Sequence, residues 1–64
     1  MRTWLIAIRG NRTQKEIAQI CGISQNFYSW IETGERTPSV SVAKEIARAL
    51  DFDWAKFYEE DSQS

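Results

Sequence analysis

The chain of 64 residues contains no histidine and a single cysteine, Cys21. These shortages exclude a structural zinc site, which takes about four nitrogen or sulfur ligands, and a disulfide within the chain. We therefore expect no metal and no other cofactor. Because free cysteine is usually buried, Cys21 is interpreted as a small hydrophobic residue rather than a redox sensor. The lack of disulfides is typical of a cytoplasmic protein.

Long hydrophobic runs are also absent. The apolar residues 4–8 lie between Arg2 and Arg9, and this run is far shorter than the ~20 residues of a membrane helix. It is interpreted as a helix of the core, and no membrane partner is expected.

The sequence offers few of the groups from which an active site is built. It has three glycines and no histidine, so it lacks both a glycine-rich phosphate loop and a paired nucleophile and base. Its carboxylates fall at helix caps, at loop ends and in the tail, where water is the expected neighbour. We therefore predict that the protein is not an enzyme.

The net charge of −1 is unusual for a nucleic-acid-binding domain, since such domains are mostly basic. The charge is unevenly distributed, however. Residues 1–36 carry a net charge of +2, and residues 37–64 carry −3, much of it in the segment 59–61. This asymmetry is compatible with one cationic face and a solvated acidic tail.

Turn-forming residues divide the chain into short segments with helical spacing. The breaks fall at Gly10, Gly22, Gly34 and Pro38, and no segment shows the alternation of a strand. We predict a domain over residues 1–58 and an acidic, disordered tail over residues 59–64. The apolar residues predicted to form the core are Ile17, Ala18, Ile23, Tyr28, Ile31, Val40, Ile46, Ala47 and Leu50.

Capping residues predict where the helices begin. Thr13 and Glu16 have the spacing of a capping box at the start of the second helix. Ser24 and Ser39 are suited to cap the third and fourth helices, and Asp53 is suited to cap a short last turn.

Residues 13–34 predict two short helices joined by a glycine turn, the arrangement of a helix-turn-helix. The string TQKEIAQICGISQNFYSWIETGERTPS, residues 13–39, resembles the lambda-repressor/Cro-like (XRE) family. The resemblance extends from Leu5 to about Tyr58. It implies an all-α fold, a compact five-helix bundle with a central helix-turn-helix, whose recognition helix covers about residues 24–32.

The resemblance also implies roles for individual residues. One face of the third helix would read bases, and a second set of residues would contact phosphates. Arg9 takes the place of a family arginine that pairs with the glutamate at Glu32, which implies a structural ion pair. The base-reading residues would be Gln25, Asn26, Ser29 and Trp30, and the phosphate-contacting residues would be Gln14, Arg12, Lys15, Ser24 and Arg36.

The function implied by the resemblance is a transcriptional regulator that binds double-stranded operator DNA, a palindrome, as a homodimer and acts as a repressor. The dimer surface is expected around Trp54, Phe57 and Tyr58. For Trp4, Trp54 and Phe57, packing within the domain is favoured over a role in recognition. For Trp30 the alternatives are contact with a thymine methyl group, a position along the protein surface, and a protein interface. The alternative function is a protein-interaction module, such as an antitoxin or anti-regulator, with a protein partner.

Overall fold

The computed structural model describes residues 1–59 of the chain. Within this range it is entirely helical, without a strand, and the all-α expectation is therefore confirmed. The five helices are α1 (Thr3–Arg9), α2 (Gln14–Cys21), α3 (Gln25–Thr33), α4 (Val40–Leu50) and α5 (Lys56–Glu59).

The predicted caps explain where the helices begin. At α2 the Thr13 hydroxyl accepts a hydrogen bond from the Glu16 backbone N–H, and the Glu16 carboxylate accepts one from the Thr13 N–H, each at 3.0 Å. Ser24 and Ser39 accept bonds from the N–H groups three residues further on, at 3.0 and 3.3 Å. Each cap satisfies a backbone donor that the helix itself leaves unpaired.

Left-handed residues end three of the helices. Gly22 and Gly34 follow α2 and α3 with φ values of 70° and 92°, a conformation that costs glycine little. Asp51 follows α4 with φ 61° and ψ 58°. Aspartate visits this region more readily than most residues other than glycine, so the chain turns here without a glycine.

The core lies where α2 packs against α3 and α4. On α3 and α4 the buried positions recur at spacings of three and four, so each of these two helices turns one stripe inwards. The buried hydrophobic residues are Leu5, Ile17, Ala18, Tyr28, Ile31, Ala43, Ile46, Ala47, Leu50 and Phe57.

Two residues predicted to form the core are not fully buried. The prediction for Val40 is wrong, because its side chain is 48% exposed; it occupies the first position of α4, before the apolar stripe of that helix begins. Ile23 is only partly buried, in the turn between α2 and α3, where it packs against the edge of the core.

Aromatic residues close the end of the bundle formed by α1 and α5. Trp4 meets Phe52 and Phe57 edge to face, with ring centroids 5.4 and 5.2 Å apart. Trp54 meets Tyr58 in the same way at 5.9 Å, so the packing role favoured for these aromatic residues is confirmed. The expectation that Phe57 contributes to a dimer surface is wrong, because its side chain is 1% exposed.

The last described helix reaches into the predicted tail. Glu59 is the final residue of α5. The remainder of the tail predicted over residues 59–64, from residue 60 onwards, lies outside the described residues.

Candidate nucleic-acid interface

The turn between α2 and α3 fixes the angle of the helix-turn-helix. The Gly22 N–H donates to the carbonyl of Gln19, and the Ile23 N–H donates to the carbonyl of Ala18, at 3.2 and 3.0 Å. These bonds satisfy carbonyls at the end of α2. Since Ser24 caps α3 immediately afterwards, only three residues separate the two helices, and their relative orientation is set locally.

The residues predicted to read bases share one face of α3. Their positions differ by one, three and one, which places them on adjacent turns of the same side of a helix. The opposite side carries Tyr28, Ile31 and Glu32, all buried. The outward residues are Gln25 and Asn26, both exposed, Ser29, which is partly buried, and Trp30, which is 42% exposed.

Gln25 and Asn26 occupy the first turn of α3, and both side chains are exposed there. Each carries a carboxamide, which has both a donor and an acceptor. A carboxamide can pair with N6 and N7 of adenine at once, and such a pair discriminates bases by roughly 1–3 kcal/mol. The exposed N-terminal turn of α3 therefore has the chemistry to read adenine.

The N-terminus of α2 carries Gln14 and Lys15. Lys15 is exposed, whereas the Gln14 side-chain nitrogen donates a hydrogen bond to a Glu32 oxygen at 2.8 Å. An amide nitrogen has two N–H groups, so this bond fixes the orientation of Gln14 and leaves its second N–H for another acceptor. Free backbone donors and the helix dipole also favour an anion at this end of a helix.

The remaining residues predicted to contact phosphates differ in their local bonding. Arg12 is exposed and donates to the carbonyl of Ala49 at 3.0 Å, which links the loop before α2 to the end of α4. Ser24 uses its hydroxyl oxygen as the α3 cap, and its O–H is a donor in addition. Arg36 lies after α3 with its guanidinium carbon 5.6 Å from the centroid of the Trp30 ring.

Arg9 and Glu32 form an ion pair that joins α1 to the end of α3. The two Arg9–Glu32 bonds, from Nε and Nη2 to separate carboxylate oxygens, measure 2.6 and 3.2 Å. The Glu32 side chain is only 2% exposed, and Gln14 of α2 donates to the same carboxylate. One buried carboxylate thus ties together the first three helices.

The electrostatics of this network follow from burial and hydrogen bonding. Burial alone would raise the pKa of the Glu32 carboxyl, but hydrogen bonds from Arg9 and Gln14 outweigh it and the pKa is lowered. The bond to Glu32 raises the pKa of the Arg9 guanidinium. Both residues therefore stay charged at neutral pH.

The lowered pKa of Glu32 predicts a loss of stability in acid. A carboxyl whose pKa is lower in the folded state stabilises the protein above its unfolded pKa of about 4.3, and this contribution disappears as the pH falls through the folded value. We expect the urea midpoint to fall less between pH 6 and pH 3 in Glu32→Gln than in the parent chain.

Glu16→Gln is the matched control for the acid experiment. Hydrogen bonds from the Thr13 backbone and hydroxyl also lower the pKa of Glu16, but this carboxyl is on the surface, where water screens it. We expect Glu16→Gln to change the acid response less than Glu32→Gln does. An equal fall in the midpoint for Glu32→Gln and the parent chain would contradict the prediction that ionised Glu32 stabilises the folded protein.

Two features of this region were not found from the sequence. Arg2, interpreted only as a flank of an apolar run, is 6% exposed and donates to the carbonyls of Ile31 and Arg36. The Tyr28 hydroxyl is buried without a hydrogen-bond partner in good geometry among the described residues; burial, followed by the nearby Glu32 carboxylate, raises its pKa. The role of Arg2 could not be predicted, because an arginine before an apolar run is too common a pattern to indicate burial.

Other kinds of site find no support in the described residues. Residues 1–59 contain no group of three or more cysteine and carboxylate side chains placed to hold a metal ion. None of the helices in this range is both long and apolar enough to span a membrane.

Comparisons with known proteins agree with this geometry. A family model described as "Helix-turn-helix" matches residues 5–57. The chain is also 44% identical over 62 residues to the Bacillus subtilis (strain 168) protein named "Uncharacterized HTH-type transcriptional regulator YqaF", covering 94% of this chain and 82% of that protein. No solved structure matches the chain significantly.

Proposed function

The chain belongs to the helix-turn-helix family, and from this premise we propose that it is a transcriptional regulator that binds specific sequences in double-stranded DNA. The recognition helix would be α3, lying in the major groove. The name of the similar Bacillus subtilis protein, an HTH-type transcriptional regulator, supports this proposal. The proposed place of this activity is the cytoplasm.

The observation that carries the proposal is the outward face of α3 beside the N-terminus of α2. Gln25 and Asn26 would read bases from the first turn of α3, with Ser29 one turn further along. Gln14 and Lys15 at the start of α2 would contact the phosphates that set the register. Phosphate contacts position a protein on DNA, whereas contacts with base edges give it sequence specificity.

We further propose that the protein binds a palindromic operator as a homodimer. A single recognition helix covers few base pairs, and paired half-sites about 34 Å apart bring two helices into successive major grooves. Of the aromatic residues predicted around the dimer surface, Trp54 and Tyr58 are partly exposed, and the Tyr58 hydroxyl donates to the Pro38 carbonyl at 2.8 Å. The proposed outcome is repression, which would follow where the bound operator overlaps the site used by RNA polymerase.

The experiment that tests this function is selection from a random duplex pool, followed by affinity measurements on the enriched sequence. We expect an enriched palindrome. Because a homodimer loses the pairing in both half-sites, Gln25→Ala or Asn26→Ala should lower affinity by about 2–6 kcal/mol, roughly 30- to 25,000-fold, at about 1–3 kcal/mol per base pairing. The loss should be confined to the selected sequence and absent from non-specific DNA.

Gln19→Ala provides a control with the same side chain, because Gln19 is exposed on the later part of α2. It should retain the affinity of the parent chain. Sedimentation velocity with and without the selected duplex would test the dimer. Failure to enrich any sequence would contradict the proposal and favour the alternative, a protein-interaction module with a protein partner.

A further inference from the structure

Arg36 is held in place from three directions. Its backbone N–H donates to the Trp30 carbonyl at 3.2 Å, and its own carbonyl accepts a bond from the Arg2 guanidinium at 3.0 Å. Its guanidinium lies 5.6 Å from the centroid of the Trp30 ring, within the range of a cation–π contact. An arginine in an exposed loop is therefore fixed at both its backbone and its side chain.

The support from Arg2 is part of a larger attachment. The buried Arg2 side chain also donates to the carbonyl of Ile31, and the Arg2 N–H donates to the carbonyl of Glu32 at 2.7 Å. The beginning of the chain thus holds the last turn of α3 and the loop that follows it. This loop is a rigid extension of the recognition helix.

Trp30 directs its ring towards this loop. An open cleft of about 400 Å³ is lined by Trp30, Glu35 and Arg36. Within this cleft the Trp30 ring is the group in contact with the Arg36 guanidinium. An apolar ring in contact with a cation also restricts the rotamers of a long side chain, which lowers the entropy lost when the side chain binds.

We propose that Trp30 is a positioning residue for Arg36, and that the ring holds the guanidinium in place to contact a phosphate of the DNA backbone next to α3. The inference rests on the proposed function. A guanidinium binds phosphate with two parallel hydrogen bonds, so its orientation affects the strength of the contact. Trp30 would accordingly increase affinity through Arg36 and carry no sequence information itself.

The salt dependence of DNA binding distinguishes this role from base reading. Each phosphate contact contributes about −0.9 to the slope of log affinity against log salt concentration. Because each protomer of the proposed homodimer loses one contact, we expect Arg36→Ala to make the slope shallower by about 2, on specific and non-specific duplexes alike. Trp30→Ala should produce a similar change, and the double variant should lose little more than Arg36→Ala alone.

Two further variants serve as controls. Trp30→Phe retains an aromatic face and should keep most of the parent slope. Arg48→Ala also removes an arginine, but an exposed one on α4 that pairs with Glu45 at 3.9 Å; its slope should equal that of the parent. Thermal unfolding of every variant would show that each one is folded under the conditions of the binding assay.

Several outcomes would overturn the inference. If Trp30→Ala changed the selected bases at an unchanged slope, Trp30 would contact a base directly. If its effect added fully to that of Arg36→Ala, the two residues would act separately. In both cases the parent chain would still enrich a sequence, and the proposed function would stand. If the parent chain bound no duplex at all, both the function and the inference would fail.

Discussion

Arg9→Ala is expected to destabilise the protein by about 3 kcal/mol, because removal of one partner of a buried ion pair leaves the other charge uncompensated. Glu32 would keep its bond from Gln14 but lose both bonds from Arg9. A domain of this size has a total stability of about 3–10 kcal/mol, so the variant should be close to unfolding. Thermal unfolding followed by circular dichroism should show a midpoint lower by 10 °C or more, at about 4–8 °C per kcal/mol.

The double variant Arg9→Met/Glu32→Leu removes the ionic interaction but keeps side chains of similar size at the two positions. It therefore distinguishes the contribution of the charges from that of packing. Apolar residues of similar size often replace a buried ion pair with little change in stability. We therefore expect the double variant to recover most of the stability lost in Arg9→Ala. Arg48→Ala is the control for loss of an arginine, because the Arg48–Glu45 pair is exposed and 3.9 Å long, and its midpoint should hardly change. An unchanged midpoint for Arg9→Ala would show that the pair contributes nothing.

The beginnings of the helices could be predicted because they depend on local chemistry. Thr13, Ser24 and Ser39 cap α2, α3 and α4 as expected, and the Asp53 carboxylate accepts a bond from the Ala55 N–H in the turn before α5. A capping residue acts on donors two or three positions away. Its effect can therefore be recognised from a short stretch of sequence.

Burial at the ends of helices was harder to predict, because it depends on the neighbouring elements. Val40 continues the apolar spacing of α4, yet its side chain is exposed at the first position of that helix. Ile8 lies three residues after the buried Leu5, but at 36% exposed it stands at the edge of the bundle. Spacing identifies the inward stripe of a helix and does not show where the adjoining helix stops covering it.

The candidate DNA interface followed from the family resemblance more than from the physics of single residues. Exposed Gln25 and Asn26 would be ordinary helix-start residues in another context, and only their place in the helix-turn-helix gives them a predicted role. The contacts around Arg36 could not be predicted, because Arg2 and Arg36 are 34 residues apart in the chain. Long-range bonds to backbone carbonyls leave no local pattern in the sequence.

The second large effect is expected at Phe57, whose ring is buried as its predicted packing role requires. The ring centroid lies 5.2 Å from that of Trp4 and 5.7 Å from that of Phe52, and the Arg2 guanidinium lies 5.6 Å from it. Helix α5 has only four residues, too few to be stable without packing. The buried ring thus attaches α5 to the rest of the bundle, together with the hydrogen bond from the Tyr58 hydroxyl to the Pro38 carbonyl.

We expect Phe57→Ala to destabilise the protein by about 3–5 kcal/mol, the usual range for loss of a buried phenylalanine. Phe57→Leu keeps much of the volume and should lose clearly less, which would distinguish a packing effect from a requirement for an aromatic ring. Urea unfolding followed by tryptophan fluorescence would measure both, since Trp4 lies against the altered site. A Phe57→Ala variant as stable as the parent would mean that α5 is not needed for folding, and the surface beneath it would then be available to a partner.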